Sequence, residues 1–264
     1  MSLPSRQVQA TEAMVRPAST ARMVFGTPTT MGAAEKRLLA TMRLHAITSV
    51  HGEEGLRGRL QLEIARLSAG EQRQIEGALV LASRLHAQDR RQREPYICHP
   101  LRVTIRVLSH YRVTELDVAC AALLHDCVED HAESLAAEGT RQGALAVLAA
   151  QFGARTAELV AAVTNPIYES GRDDHEQYRD HVIASLESSP WARVIKISDF
   201  TDNAVGLIYT TGPKLSKLAR KYRPLVPALR DLILRPDTPL APDVKNMIAG
   251  QLAKAEDRFA AILG

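Results

Sequence analysis

The stretch Ala121-Ala122-Leu123-Leu124-His125-Asp126-Cys127-Val128-Glu129-Asp130 places four ionisable side chains directly after a run of apolar residues. Apolar residues recur at steps of three and four from Leu116 to Val128, which predicts one continuous amphipathic helix. Residues four apart share a helix face, so His125 should lie next to Glu129 and Asp126 next to Asp130. We therefore expect the last turns of this helix to bring these side chains together, with Asp126 and Asp130 towards the edge of a buried stripe.

The carboxylates of this segment need a compensating positive charge. Burying them beside a core is costly when they are unpaired, and the stretch 121–130 contains no Lys or Arg. A bound cation would remove that cost, because the adjacent His125 and Asp126 can supply one nitrogen and one oxygen to a single metal. Glu129 and Asp130 could then orient or deprotonate an attacking water. A capped or salt-bridged helix end is the structural alternative.

Two further side chains could complete such a site. His99 lies between Pro95 and Pro100, which fix the backbone at the start of a helix. Asp199 follows an apolar segment, with Asn203 one helical turn later on the same face. Two imidazoles and two carboxylates form a mixed nitrogen and oxygen donor set. Such a set suits manganese, iron or zinc and does not suit calcium.

Composition predicts a helical protein. Hydrophobic residues make up 45% of the 264 residues but aromatics only 4%, which favours helices over sheets. Neither an internal repeat nor a two-domain linker is evident, so we expect a single all-α domain. We divide it into a leader expected to be disordered (1–33), an N-terminal helical extension (34–80), a core (81–235) and a C-terminal helix packing on the core (236–264).

Charge and cysteine content limit the partners. The net charge of +3 is too small to indicate a nucleic-acid binder, and Cys98, Cys120 and Cys127 form no CxxC pair. No apolar run approaches the ~20 residues needed to cross a bilayer, and the first thirty residues lack a signal-peptide core. We expect a cytoplasmic protein. Whether its amphipathic C-terminal segment covers the core or forms a homo-oligomer interface stays open. Six other histidines show no partner pattern, and surface or structural roles are expected for them: His45, His51, His86, His110, His175 and His181.

The ordered set His99, His125-Asp126 and Asp199 resembles the signature of the HD superfamily of phosphohydrolases. The local sequences are similar to the hydrolase domain of RelA/SpoT homologues, and especially to the stand-alone small alarmone hydrolases. The similarity covers more than half of the chain and is carried by Gln88-Asp89-Arg90-Arg91 with Glu94–Pro100, Ala121–Asp130, Phe152-Gly153 with Val163-Thr164, and Ser188–Asn203. It implies a single HD-domain helical bundle with additional N-terminal helices. The chain ends soon after Asp199, so we expect the hydrolase half alone, without a synthetase domain.

The resemblance implies catalytic roles for residues already singled out. One divalent metal ion, usually manganese in this family, would be held by His99, His125, Asp126 and Asp199. Glu129 and Asp130 would position the attacking water and manage its proton. The implied reaction removes pyrophosphate from the ribose 3′ position of (p)ppGpp and yields GDP or GTP.

The same resemblance implies a nucleotide site. Arg90 and Arg91 match the basic pair that contacts the nucleotide base and a nearby phosphate. Asn203 would contact the ribose region. Tyr222 lies about where related stand-alone enzymes have a tyrosine against the nucleotide. For the two arginines, exposed charged surface is the structural alternative.

Departures from the family pattern fall around the nucleotide more than around the metal. Arg91-Gln92-Arg93 precedes Glu94 where Lys-Ser-Gly is common, His131 stands for the usual Thr, and Phe200-Thr201-Asp202-Asn203 for Arg-Leu-His-Asn. Substrate choice therefore stays open. The alternatives are an adenine alarmone, a nucleotide 2′- or 3′-phosphate, pyrophosphorylated tRNA as the target of an antitoxin, and a non-catalytic role as a nucleotide-binding regulator.

Overall fold

A computed structural model of the chain describes residues 31–91, 94–205 and 213–264. These ranges contain thirteen α-helices and no β-strand, which confirms the predicted all-α fold. The helices are α1 (Ala33–Thr41), α2 (Leu44–Ile64), α3 (Ala69–Leu85), α4 (Cys98–Ile105), α5 (Leu116–Leu124), α6 (Cys127–Leu135), α7 (Arg141–Phe152), α8 (Ala154–Val163), α9 (Asp174–Ser188), α10 (Pro190–Val205), α11 (Pro213–Tyr222), α12 (Val226–Leu234) and α13 (Pro242–Leu263). The predicted leader lies outside the described residues as far as residue 30.

The N-terminal helices pack against the helices that carry the site. The sequence predicts a break at Gly52 and Gly55, but α2 is interrupted only by a kink at Gly52, whose φ of 62° suits a residue without a Cβ. Beyond the kink, Leu56 and Leu60 are buried, and α2 packs on α4. Helix α3 packs on α5 in the same way.

Helix α3 begins with a capping box that fixes where it starts. The Ser68 hydroxyl accepts a hydrogen bond from the Glu71 backbone N–H at 3.3 Å, and the Glu71 carboxylate accepts one from the Ser68 N–H at 2.8 Å. The helix ends at Leu85. Residues 86–91 therefore leave the helix and run towards the site.

The predicted continuous helix through residues 121–130 is wrong. Helix α5 ends at Leu124 and α6 begins at Cys127, so that His125 and Asp126 occupy a turn between the two helices. Cys127 and Val128 after the turn are still buried, whereas the acidic residues that follow them lie further out on α6. Asp130 is consequently exposed, and the expectation that it lies at the edge of the buried stripe is also wrong.

Helix α10 forms the centre of the bundle. Residues 192–202 are buried throughout, and α10 contacts α4, α5, α8, α9, α12 and α13. Helix α13 packs on α11 and α12, with Val244, Ile248, Leu252 and Phe259 among its buried residues. Within the described ranges, none of the helices has the length and apolar character required to cross a membrane.

Candidate metal centre

Three separate parts of the chain bring the four predicted ligands together. His99 lies in the first turn of α4, His125 and Asp126 in the turn between α5 and α6, and Asp199 on the central helix α10. The Nε2 atom of His99 lies 3.1 Å from an Asp199 oxygen and 3.7 Å from an Asp126 oxygen. The Nε2 atom of His125 lies 3.8 Å and 3.2 Å from the same two oxygens. Four ligand groups thus face one small volume.

The two imidazoles are oriented as metal ligands are. The outer nitrogen of each ring is already bonded: His99 Nδ1 lies 2.8 Å from Asp202 Oδ2, and His125 Nδ1 lies 2.8 Å from the Ala122 carbonyl oxygen. Both Nε2 atoms are buried and have no hydrogen-bond partner among the described residues. Buried polar atoms are rarely left without a partner. Paired with a bonded Nδ1, a free Nε2 fits a metal ion as its missing partner.

The electrostatics of the centre favour a cation. Burial would raise the pKa of Asp199, but the Lys196 ammonium, 3.3 Å away, and the neighbouring imidazoles hold it well below its usual range. Burial lowers the pKa of His125, yet the carboxylates of Asp126 and Asp199 outweigh burial and raise it to about 10. Both carboxylates are therefore ionised, and the site draws positive charge towards the two Nε2 atoms.

A network of buried charged side chains lies behind His99, and the sequence analysis did not predict it. Asp202 is buried, and its carboxylate accepts hydrogen bonds from Arg102 Nε at 2.9 Å and from Arg106 Nη2 at 3.1 Å, in addition to its contact with His99. Arg102 also donates to Glu94 at 2.6 Å. The one available signal was that Asp202 stands where related proteins have a histidine. Its contact with His99, 103 residues away, could not be read from the sequence.

The two acidic residues after the turn differ in their surroundings. Glu129 is held in place by Asn165, whose backbone N–H and side-chain amide donate to its two carboxylate oxygens at 3.2 Å and 2.9 Å. Asp130 lines an open cleft of about 490 Å³. Partial burial, together with the negative charges of Asp126 and Glu129, raises the pKa of Asp130 to about 6.

Two predicted nucleotide-binding residues are connected directly to the metal centre. Arg91 donates to the side-chain oxygen Oδ1 of Asn203 at 3.0 Å, and the side-chain Nδ2 of Asn203 donates to Asp199 Oδ1 at 2.6 Å. The Arg91 guanidinium also lies over the ring of Tyr96, 5.1 Å from its centroid, and the Tyr96 hydroxyl donates to Asp126 at 2.7 Å. Asn203 therefore bonds directly to the predicted ligand Asp199. Arg91 contacts Asn203 and Tyr96, which bond to the two carboxylate ligands.

The other two predicted nucleotide-binding residues lie at the margins of the centre. Arg90 is exposed and lines the same cleft as Asp130. Tyr222 is buried and packs edge-on against Phe200, with ring centroids 5.5 Å apart. Because Phe200 follows Asp199 on α10, Tyr222 belongs to the wall behind the metal centre. Arg90, by contrast, lies at the open edge of the cleft.

Comparison with known proteins agrees with this architecture. The family model described as "HD domain" matches residues 78–181. The matched part includes His99, His125 and Asp126 and ends before Asp199. A solved structure of a metazoan orthologue of SpoT, reported to hydrolyse ppGpp, shares the fold of this chain with a TM-score of 0.53. The similarity covers 72% of this chain and 96% of that chain at 24% sequence identity.

Some curated relatives of the chain are alarmone hydrolases by name, and two others are named GTP pyrophosphokinases. The chain is 35% identical over 133 residues to human guanosine-3′,5′-bis(diphosphate) 3′-pyrophosphohydrolase MESH1, which covers 49% of this chain and 66% of the human protein. It is 31% identical over 160 residues to the enzyme of the same name from Aquifex aeolicus, which covers 58% of this chain. That match spans only 21% of the bacterial protein. The resemblance to the hydrolase domain of RelA/SpoT homologues is thus confirmed.

If the four groups bind one divalent ion, that ion should stabilise the fold. For chelator-treated protein in Mn²⁺ at a hundred times its dissociation constant, we expect about 2.7 kcal/mol of added stability. Asp199→Asn should remove most of this gain, whereas Asp257→Asn, an exposed carboxylate on α13, should retain it. Thermal unfolding with and without Mn²⁺ measures the effect. An equal gain in both variants would contradict the assignment of Asp199 as a ligand.

The contact between Asp202 and His99 should strengthen metal binding. Asp202→Asn removes the negative charge that orients the ring and raises its basicity, so we expect Mn²⁺ affinity to fall 10- to 100-fold. Titration calorimetry on metal-free protein measures this change. Asp237→Asn is the matched control, because Asp237 pairs with the buried Arg193 and touches none of the four ligands. Equal affinities of the Asp202→Asn variant and the unsubstituted protein would show that Asp202 only supports the fold.

Proposed function

We propose that this protein is a metal-dependent hydrolase that removes the 3′-pyrophosphate of (p)ppGpp and releases GDP or GTP. The observation that carries the proposal is the pair of buried Nε2 atoms of His99 and His125, which face the carboxylates of Asp126 and Asp199. The substrate class comes from the relatives, since the human and Aquifex proteins are named for this reaction. The proposed reaction is a hydrolysis, in which water attacks and pyrophosphate leaves.

Manganese is the ion we propose for the centre, with His99, His125, Asp126 and Asp199 as its ligands. Two imidazole nitrogens and two carboxylate oxygens suit a borderline divalent ion, and the carboxylates favour manganese over softer metals. When bound, such an ion supplies Lewis-acid chemistry by polarising a phosphoryl oxygen and lowering the pKa of water. The hydrogen bonds that His99 Nδ1 would donate to Asp202 and His125 Nδ1 would donate to the Ala122 carbonyl oxygen would hold both rings ready for it.

The acidic pair has two separate roles in this proposal. Glu129 receives two hydrogen bonds from Asn165, so it would orient the attacking water or the residues around it without moving itself. Asp130 carries no such restraint from Asn165 and faces the cleft, and its pKa, raised to about 6, lies close to neutral pH. A carboxylate whose pKa is near the working pH is ionised before the reaction and is still basic enough to accept a proton. Asp130 would therefore take the proton from water.

The nucleotide would lie along the cleft next to the metal centre. Arg90 is free to approach a phosphate or a base from the open edge. Arg91 and Asn203 are linked to Asp199, so a ribose or phosphate held by them would have a fixed position relative to the metal ligands. Tyr222 would form the wall of this region through its contact with Phe200. Lys196, buried beside Asp199, adds a positive charge near the leaving pyrophosphate.

Hydrolysis of ppGpp by the manganese-loaded protein tests the proposal. We expect release of pyrophosphate and GDP, and we expect Asp130→Asn to lower kcat about 10²- to 10⁴-fold because the proton acceptor is lost. Glu129→Gln should also be strongly impaired, because the carboxylate that accepts both bonds from Asn165 is neutralised. Asp257→Asn should turn over ppGpp at the unsubstituted rate. Quantification of both products by anion-exchange chromatography measures each rate.

The alternatives are distinguished by running other substrates in parallel. If ppGpp stays intact while an adenine alarmone, a nucleotide 2′- or 3′-phosphate or pyrophosphorylated tRNA is hydrolysed, the substrate assignment is wrong. If the protein binds ppGpp but hydrolyses none of these compounds, a regulatory role replaces the enzymatic one.

A further inference from the structure

A second group of metal-ligating side chains lies beside the first and shares no residue with it. His86 follows α3, Asp89 lies three residues further, and His131 is on α6. His86 Nδ1 and His131 Nε2 each lie 2.7 Å from Asp89 Oδ2, and the two nitrogens lie 3.1 Å apart. One atom from each of three side chains therefore points to a common centre.

Hydrogen bonds alone are a poor fit to the triangle formed by His86 Nδ1, His131 Nε2 and Asp89 Oδ2. If both nitrogens carry a proton, two N–H groups converge on a single oxygen from nitrogens only 3.1 Å apart. If only one nitrogen is protonated, the lone pair of the other faces the lone pairs of the carboxylate at 2.7 Å. In the first arrangement one carboxylate oxygen serves both donors, and in the second one contact is repulsive. A cation at the centre would accept all three lone pairs at once.

The surroundings orient the ligands and leave the group accessible. The ring of Tyr96 stacks on His86 with centroids 4.5 Å apart, and the Cys127 sulfur lies 3.9 Å from the second nitrogen of that ring. These contacts fix the plane of His86, whose side chain is fully buried. The side chains of Asp89 and His131 are 35% and 18% exposed, so an ion can enter from the cleft.

We propose that His86, Asp89 and His131 form a second divalent-cation site of the zinc class, with an open coordination position facing the cleft. Two imidazole nitrogens and one carboxylate oxygen are typical donors for zinc and for its substitute cobalt, and they do not suit calcium or magnesium. Tetrahedral zinc with ligands at about 2.1 Å sets its ligand atoms about 3.4 Å apart. The triangle therefore needs to open by less than 1 Å.

The open coordination position of the second ion would face the cleft in which we propose that the nucleotide is hydrolysed. The cleft that exposes Asp89 and His131 is also lined by Arg90 and Asp130. Tyr96 joins the two centres, because its ring stacks on His86 while its hydroxyl donates to Asp126. A water molecule or a phosphate oxygen in the cleft could complete the coordination of the second ion.

Metal stoichiometry tests this site independently of any activity. Chelator-stripped full-length protein is dialysed against Zn²⁺, and bound zinc is counted by plasma mass spectrometry. We expect two equivalents in the unsubstituted protein, one in His131→Thr, one in Asp199→Asn, and close to none in the double variant. His175→Thr, which removes an exposed histidine on α9, should keep both equivalents.

Two further measurements guard against a folding defect. Far-ultraviolet circular dichroism in chelator checks that His131→Thr keeps its helices, and Asp89→Asn provides a second, more exposed substitution. In Asp199→Asn, zinc should shift the imidazole ¹⁵N resonances of His86 and His131. Equal zinc content in His131→Thr and the unsubstituted protein, with no shift of these resonances, would overturn the second site. Unchanged zinc content in Asp199→Asn, together with the loss of one equivalent in His131→Thr, would instead count against the first centre.

Discussion

The Nε2 atoms of His99 and His125 are buried next to the ionised carboxylates of Asp126 and Asp199, and each ring is fixed through its other nitrogen. Burying two imidazole nitrogens and two charged carboxylates together is costly unless positive charge compensates the carboxylates. Lys196 supplies one positive charge beside Asp199. The geometry that remains is that of a metal site, and the proposed reaction depends on it.

The network behind the ligands explains how a helical bundle can hold this geometry. Asp202 connects His99 to Arg102 and Arg106, so the ring that enters from α4 is fixed to the central helix α10. Asn203, one residue further, connects Arg91 to Asp199. Adjacent residues of one helix thus link the metal ligands both to the core and to the proposed nucleotide region. Substitutions on this face of α10 should therefore affect metal and substrate together.

The sequence predicted the helical fold and the ligand types, but not the details that depend on distant contacts. The spacing of His125, Asp126, Glu129 and Asp130 indicated an acidic centre at a helix end. His99 and Asp199 were chosen as further ligands from their own sequence context, and the family resemblance then implied that all four hold one metal. The turn at His125–Asp126 was missed because the apolar periodicity continues through it to Val128. That turn exposes Asp130 and separates its environment from that of Glu129.

Residues whose role comes from partners far along the chain were also missed. His86 shows no pattern in its own neighbourhood, yet it meets His131, 45 residues away, next to Asp89. Asp202 was noticed only as a departure from a family motif, and its bonds to His99 and Arg102 cross about a hundred residues. Local periodicity carries no information on such pairs, because they are created by the packing of α3 on α6 and of α4 on α10.

Anomalous scattering from crystals grown with Mn²⁺ tests the central claim most directly. Data collected at the manganese absorption edge should show a peak between His99, His125, Asp126 and Asp199, about 2.1–2.2 Å from one donor atom of each. The absence of a peak there, or a fully occupied manganese elsewhere with these four side chains turned away from one another, would contradict the account.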